Sequence, residues 1–336
     1  RLDFNNSKKK KGYVLKSLAF FLFISLSAYL ILFTPLFQER SFFVSGQNLN
    51  NGLGSVKGLS FNNERVNLLV LGIPGKGHHG ESLTDTIMII NSGNNGENPV
   101  GISIPRDLFV KFPDRSFYTK INSLYRWGRN EKQGVELVAS VLNDITGLNF
   151  DYYAVVDLDA VEEVVDKIGG IDVFVEKDIY DPLYPAPYDS YQLFEIKKGF
   201  HHLDGETAVK YMRSRHEAGG DFSRIKRQQQ VVNEVVKKML SMNFWDLPTL
   251  LNVWYSVDKN VYTNISLVDI KYVWNLAKQT RFEGIDFHTI SAIGDNPLLY
   301  SDVVVLGGED AAVLKPVEGL SEYVNIREYI KEIIDL

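Results

Sequence analysis

The sequence predicts an α/β fold: a central mixed β-sheet flanked by helices in α-β-α layers, preceded by one N-terminal transmembrane helix. Three observations predict it. Short runs of Val, Ile and Leu with little polar alternation suit strands buried on both faces. Amphipathic segments that open on capping residues fall between those runs, so strands and helices alternate. Near the start, Ser17 to Phe37 carry no charge and follow four lysines, Lys8 to Lys11.

That apolar run makes about 32 Å of helix at 1.5 Å per residue, enough to cross a hydrocarbon core of roughly 30 Å. The lysines keep the N-terminus cytoplasmic by the positive-inside rule, and everything after Gln38 lies outside. A cleaved signal peptide fits less well, because the run is longer than an h-region and no small-x-small site follows Phe37. The expected layout is a basic cytoplasmic tail at 1–12, a transmembrane helix at 13–37 and an extracytoplasmic linker at 38–64, rich in Gly, Asn and Ser. A core at 65–241 and a C-terminal α/β extension at 242–336, packed on the core, complete it. The expected location is the cell membrane, single-pass.

Within the core, Val66 to Ile73, Thr84 to Asn91 and Val100 to Ile104 read as buried strands. Gly134 to Ile145 and Asp159 to Ile168 read as helices, Tyr152 to Val156 and Ile171 to Val175 as strands. Asp204 is placed as N-cap of a helix running to about Met212. The tail adds a helix near Leu267 to Gln279, strands at Ile285 to Ile290 and Ala312 to Leu314, and a helix from Val324 to Ile334. No period of twenty to fifty residues suggests repeats.

Composition narrows the chemistry. The absence of cysteine excludes thiol catalysis and iron–sulfur clusters. A net charge of −6 without a basic domain argues against a nucleic-acid partner. Positive charge is instead local, at Arg213, Arg215, Arg224, Lys226 and Arg227. Arg213 and Arg215 are two apart and share a face only where the backbone is not helical. Asp221 is expected to cap a helix with apolar positions Ile225, Val232, Val235, Val236 and Met239, and with Arg224 and Gln228 together one turn apart. Guanidinium forks, an amide and free N–H groups at a helix start suit phosphate oxygens, so the cluster reads as a phosphate or pyrophosphate clamp. Lys226 and Lys237 read as solvated surface.

Other segments add to it. Arg106 and Asp107 follow Pro105 at the end of a buried strand, where open α/β sheets place their ligand crevice. Asp85 leads a strand, a place for a turn cap or a ligand to Mg²⁺. Lys120 and Asn122 offer a further cation and amide. The Gly-rich loop from Gly72 to Glu81 is not a P-loop, because His78 stands where Lys and Ser or Thr would follow the second glycine. No Gly-x-Ser-x-Gly occurs, which disfavours covalent hydrolysis.

Together these segments resemble the LytR-CpsA-Psr family of bacterial cell-wall proteins over roughly Val66 to Leu240. The residues that carry the resemblance are Asp85 and Thr86, Ser103 to Asp107, Lys120 to Asn122, Gly169 to Val173, Leu203 to Ala208, Arg213, Arg215, Asp221, Arg224 and Arg227 to Gln229. The resemblance implies a phosphotransferase that moves a glycopolymer from a polyprenyl-pyrophosphate carrier to a peptidoglycan hydroxyl, releasing polyprenyl phosphate. By carry-over Arg106, Lys120, Arg213, Arg215, Arg224 and Gln228 hold the pyrophosphate and Asp85 binds Mg²⁺. Arg106 takes part in catalysis with Asp107 or Asp221, either of which is placed to act as general base. The chain departs from the family at Pro74, where a second metal-binding aspartate is usual, and at Leu83, where an arginine is usual. The alternatives are a non-catalytic scaffold or regulator that binds polyprenyl phosphate or wall polymer, and a polyprenyl-pyrophosphate hydrolase.

Overall fold

Val, Ile and Leu packed at alternate positions pull the first strands into one sheet. The computed structural model describes residues 65–335 except 79, 93–98, 129, 187–189, 216–219, 243–248, 250–251, 254, 257–258 and 267–281. The predicted tail, transmembrane helix and linker, and the predicted helix at 267–279, lie outside the described residues. No helix among the described residues is long and apolar enough to cross a membrane.

Strands β1 (Asn67–Gly72), β2 (Thr86–Asn91) and β3 (Val100–Ser103) run antiparallel to their neighbours in that order. A hairpin, β4 (Phe109–Lys111) and β5 (Tyr118–Lys120), precedes two 3₁₀ turns at Ile121–Ser123 and Tyr125–Trp127. Helix α1 (Glu131–Thr146) starts at Asn130, whose side chain accepts from the Gln133 N–H. Strand β6 (Tyr152–Val156) then pairs parallel with β1. Helix α2 (Leu158–Lys167) is capped by Asp157.

Next come β7 (Ile171–Val175), β8 (Ile179–Ala186), β9 (Ser190–Ile196) and β10 (Gly199–Leu203), paired antiparallel as β7 with β10 and β8 with β9. Helix α3 (Gly205–Arg213) opens on the Asp204 cap and α4 (Gly220–Ser241) follows. The chain closes with β11 (Val261–Thr263), β12 (Asp286–Thr289), the hairpin β13 (Leu299–Leu306) and β14 (Glu309–Pro316), and α5 (Val324–Asp335).

The central sheet is mixed, with order β11-β6-β1-β2-β3-β12. Its two edge strands, β11 and β12, both come from beyond residue 241. Gly101 explains part of this: a Cβ there would sit 2.3 Å from the Phe287 ring, so only glycine lets β12 close against β3. One sheet face packs Leu69, Leu71, Ile87, Ile89 and Ile102 against Val138, Leu142 and Ile145 of α1 and Ile326 and Ile330 of α5. By strand alternation Met88 and Ser103 face the other way, toward α4. A second cluster, with Val173, Phe194, Leu203, Ala208, Tyr211 and Val231, holds β7 to β10, α3 and α4 together.

Two expectations for α4 are corrected. The helix begins at Gly220, so Asp221 lies in its first turn and is not its N-cap. Its buried stripe is Arg224, Ile225, Arg227, Gln228, Gln229 and Val231, while Val232, Val235, Val236 and Met239 are only partly buried. Polar groups displace valines from the interior because Arg224, Arg227 and Gln229 each have a partner on another element. Gln229 Nε2, for instance, donates to Ser103 Oγ at 2.8 Å and Thr289 Oγ1 at 3.0 Å.

Candidate active site

Antiparallel pairing brings the C-terminal ends of β1 and β3 beside the start of β2, and the parallel β6 and β12 end at the same edge. Functional side chains collect at that edge, the crevice position expected of open α/β sheets. Pro105 ends the β3 strand, and the next residues are stitched to their neighbours by backbone bonds. Asn122 N–H donates to Arg106 O at 3.2 Å, Thr84 N–H to Asn122 O at 3.0 Å and Ile121 N–H to Leu108 O at 2.8 Å. Segments around Asp85, Arg106 and Lys120 are thereby held in one register.

Arg106 is the hub. Its Nη1 donates to Asp85 Oδ1 at 2.6 Å, and its Nε lies 3.4 Å from Asp221 Oδ1 and 3.7 Å from Asp107 Oδ2. Burial pulls the Arg106 pKa down, but Asp221, Asp85 and Asp107 outweigh it and hold the guanidinium above its ordinary value. Lys120 Nζ donates to Asp107 Oδ1 at 2.7 Å. Arg224, 2% exposed, reaches Asp221 Oδ1 at 2.7 Å and the Asp85 carbonyl at 3.3 Å. Its pKa is pulled down to about 10, by burial first and then by the charge of Arg106.

A narrow cleft runs between these groups, lined by Asp85, Ser103, Arg106, Asp221 and Gln228 with Ile87, Met88, Ile104 and Ile225 on its apolar walls. Among the described residues, the buried side-chain atoms lacking a hydrogen-bond partner are Arg106 Nε and Arg224 Nε. Arg106 lines the cleft and is half-buried, its Nε within ion-pair reach of two carboxylates but hydrogen-bonded to neither, and buried Arg224 also has an Nε without a partner, so both can take a further acceptor.

Arg213 is the last residue of α3, and Ser214 turns the backbone extended. Its guanidinium carbon sits 5.7 Å from the centre of the Tyr184 ring. The Arg215 backbone N–H and Ser214 Oγ both donate to the buried Asp181, at 3.0 and 3.1 Å. That bracing leaves the Arg215 side chain exposed, in electrostatic range of Arg106, Asp85 and Asp221. Asp85, Arg106, Asp107, Lys120, Asp221, Arg224 and Gln228 thus form one group, with Arg215 at its margin and Arg213 on an aromatic ring beside it. Sequence reasoning took Ser103 only as the start of the Ser103 to Asp107 motif and did not single out Asp181; the partners of each lie more than thirty residues away, beyond any local pattern.

The residues offer a magnesium ion one carboxylate, Asp85. Pro74 is buried directly after β1, and His78 lies 4.0 Å from Asp159. Among the described residues no group of three His, Asp or Glu side chains is placed to hold a metal. A single carboxylate completed by substrate phosphates is a donor set magnesium commonly takes, so the site fits an ion that arrives with its ligand.

The chain belongs to the LytR_cpsA_psr family, whose profile matches residues 44–308. Among curated relatives, the regulatory protein MsrR of Staphylococcus aureus is 34% identical over 206 residues, 61% of this chain and 58% of its own length. The polyisoprenyl-teichoic acid–peptidoglycan teichoic acid transferase TagU of Bacillus cereus is 28% identical over 204 residues, 60% of this chain and 61% of its own. The chain therefore spans less than two thirds of the length of these relatives. Among solved structures, B. subtilis TagV superposes with a TM-score of 0.62 at 24% identity, covering 81% of this chain and 98% of that one. TagT bound to LIIa-WTA superposes with a TM-score of 0.61 at 19% identity, covering 85% and 96%. These likenesses show the fold.

Proposed function

We propose that the chain transfers a glycosyl phosphate from a polyprenyl-pyrophosphate carrier to a peptidoglycan hydroxyl in cell-wall assembly. The observation that carries this reading is the pair of neighbouring guanidinium groups, half-buried Arg106 on the cleft wall and buried Arg224, both reaching Asp221 and each with an Nε that has no hydrogen-bond partner. The wall-polymer transferase among the relatives supports the substrate class.

In and around the cleft four cations, Arg106, Lys120, Arg215 and Arg224, meet three carboxylates, Asp85, Asp107 and Asp221. Pyrophosphate oxygens compete with those carboxylates for the same forks, and they win by offering more charge in bidentate geometry. In the reaction the acceptor oxygen bonds to the phosphorus that carries the glycan. The bond between that phosphorus and the bridging oxygen breaks, and polyprenyl phosphate leaves with the bridging oxygen. Arg106 and Arg224 neutralise the charge that gathers on the phosphoryl oxygens, and Arg215 and Gln228 complete the cradle. Asp221, which lines the cleft as Asp107 does not, takes the proton of the attacking hydroxyl. Magnesium held by Asp85 would supply further charge neutralisation. The apolar walls suit the first isoprene units of the carrier.

The test is release of polyprenyl phosphate from a synthetic polyprenyl-pyrophosphate disaccharide, with and without peptidoglycan fragments, for the wild type and for Arg106→Ala, Arg215→Ala and Asp221→Asn. Expected are release that rises with acceptor, a phosphodiester-linked product, and loss in all three variants. Release unaffected by acceptor would make the chain a hydrolase. Tight binding without release would make it a scaffold.

A further inference from the structure

The β4–β5 hairpin runs outward from the cleft. At its base Phe109 pairs with Lys120, the residue bonded to Asp107; three residues further out, Phe112 N–H donates to Phe117 O at 2.9 Å. At about 3.3 Å per strand residue this places the far end about 10 Å from Lys120. There three rings meet. Phe112 and Phe117 are 5.0 Å apart, Phe112 and Trp127 5.5 Å, Phe117 and Trp127 6.1 Å.

Phe112 is buried, whereas Trp127 is 59% exposed and Phe117 42%. Trp127 is not on a loose loop. It ends the 3₁₀ turn Tyr125–Trp127, whose Tyr125 and preceding Leu124 are both buried in the main core, and its N–H donates to Leu124 O at 3.0 Å. Just after it Gly128 lies so close to α1 that a Cβ would come within 2.2 Å of the Gly134 nitrogen. Rigid neighbours therefore hold a large aromatic side chain in water, an arrangement that covering Phe112 does not require.

We propose that Trp127 and Phe117, backed by Phe112, form a stacking surface for the pyranose rings of the glycan whose phosphate is handled in the adjacent cleft. This rests on the reading given under Proposed function. Sugar C–H faces are electron-poor and aromatic faces electron-rich, so the two stack much as aromatic edges meet faces. Exposed Lys111, Arg115 and Arg126, sequence neighbours of the rings, supply donors for hydroxyl, N-acetyl or carboxylate oxygens. A bilayer suits the site poorly, because the exposed Asp114, Arg115 and Ser116 at the hairpin turn would have to lose their water.

The experiment titrates the full chain in nanodiscs with three probes: an N-acetylglucosamine tetramer, an isoprenyl-pyrophosphate disaccharide and sugar-free isoprenyl pyrophosphate. Trp127→Ala, Trp127→Tyr and Phe117→Ala are compared with wild type, with thermal melts to confirm folding. Trp127→Ala should weaken a sugar-bearing probe about tenfold, Trp127→Tyr should retain most of the affinity, and binding of sugar-free isoprenyl pyrophosphate should not move. Loss with the disaccharide carrier supports the donor glycan as the stacked chain; loss confined to the tetramer would assign the surface to the acceptor strand and overturn the proposal. The proposal is overturned if Trp127→Ala binds both sugar probes like wild type, or if wild type neither binds the tetramer nor prefers the disaccharide carrier over the sugar-free one. Trp127-dependent glycan binding without any isoprenyl pyrophosphate binding would keep the stacking surface and remove the transferase reading.

Discussion

Arg224 and Arg227 stand three residues apart on α4, both buried, at 2% and 5% exposure, in two regions of different character. Arg227 lies in the joint between α3 and α4. Its Nε donates to the Tyr211 carbonyl at 2.7 Å, an Nη donates to the Ser214 carbonyl, and the guanidinium carbon sits 5.8 Å from the centre of the Tyr211 ring. Those carbonyls belong to the last turn and cap of α3, which a cation satisfies well. Arg224 pairs with Asp221, a residue of the cleft wall; its Nε has no partner and its pKa falls to about 10 because burial and Arg106 both oppose its charge. Burial of charge thus serves two ends. A satisfied guanidinium joins elements; an unsatisfied one stays poised for an anion.

The largest expected effect would break the comparison if it failed. Arg224→Met should lower release of polyprenyl phosphate about 100- to 1,000-fold, the loss typical of one preorganised donor, with the urea midpoint unchanged or raised. A fall in stability that matches the fall in activity would make Arg224 structural like Arg227. Next, Arg227→Met should cost about 3 kcal/mol of unfolding free energy, because it strands carbonyls at the end of α3. Equilibrium urea unfolding reads this directly, and a change under about 0.5 kcal/mol would show that the joint does not depend on the cation.

The smallest effect sharpens the contrast through pH. The folded state disfavours protonated Arg224, so the unfolded state binds more protons from about pH 10 up to the ordinary arginine range, and this residue's contribution to stability rises with pH across that window. Anion binding needs the charge and runs the opposite way. Affinity for inorganic pyrophosphate, measured by calorimetry, should decline as pH rises through about 10 in the wild type. That limb should be missing in Arg224→Met and retained in a variant altered only at Arg227.

Much of the sheet was legible in sequence because burial on both faces leaves a local mark. Val100 to Ile104 and Tyr152 to Val156 coincide with β3 and β6 within a residue, and the Asp204 cap sits where its spacing to Thr207 requires. The hairpins β4–β5 and β8–β9 were missed. Their strands mix Tyr, Pro and charged residues and face water on one side, so their hydrophobic period is weak. The clustering of cations around Arg213 to Arg227 was visible as composition, and so were Asp85 and Arg106 as strand-end residues. Their division of labour was not: neither the burial of Gln229 beneath Ser103 and Thr289 nor the seat of Arg213 on Tyr184 has a counterpart in local spacing.

The sequence by itself determined the α/β class, most helix starts and the pool of residues from which the cleft is built, since these depend on side-chain period and on caps that act over a few residues. Tertiary structure alone decided the strand order, the recruitment of β11 and β12 to the sheet edges, and which buried arginine is satisfied. Those outcomes rest on hydrogen bonds between residues far apart in sequence, such as Arg224 with Asp85 across 139 positions, and no local pattern encodes whether a donor will meet its acceptor there.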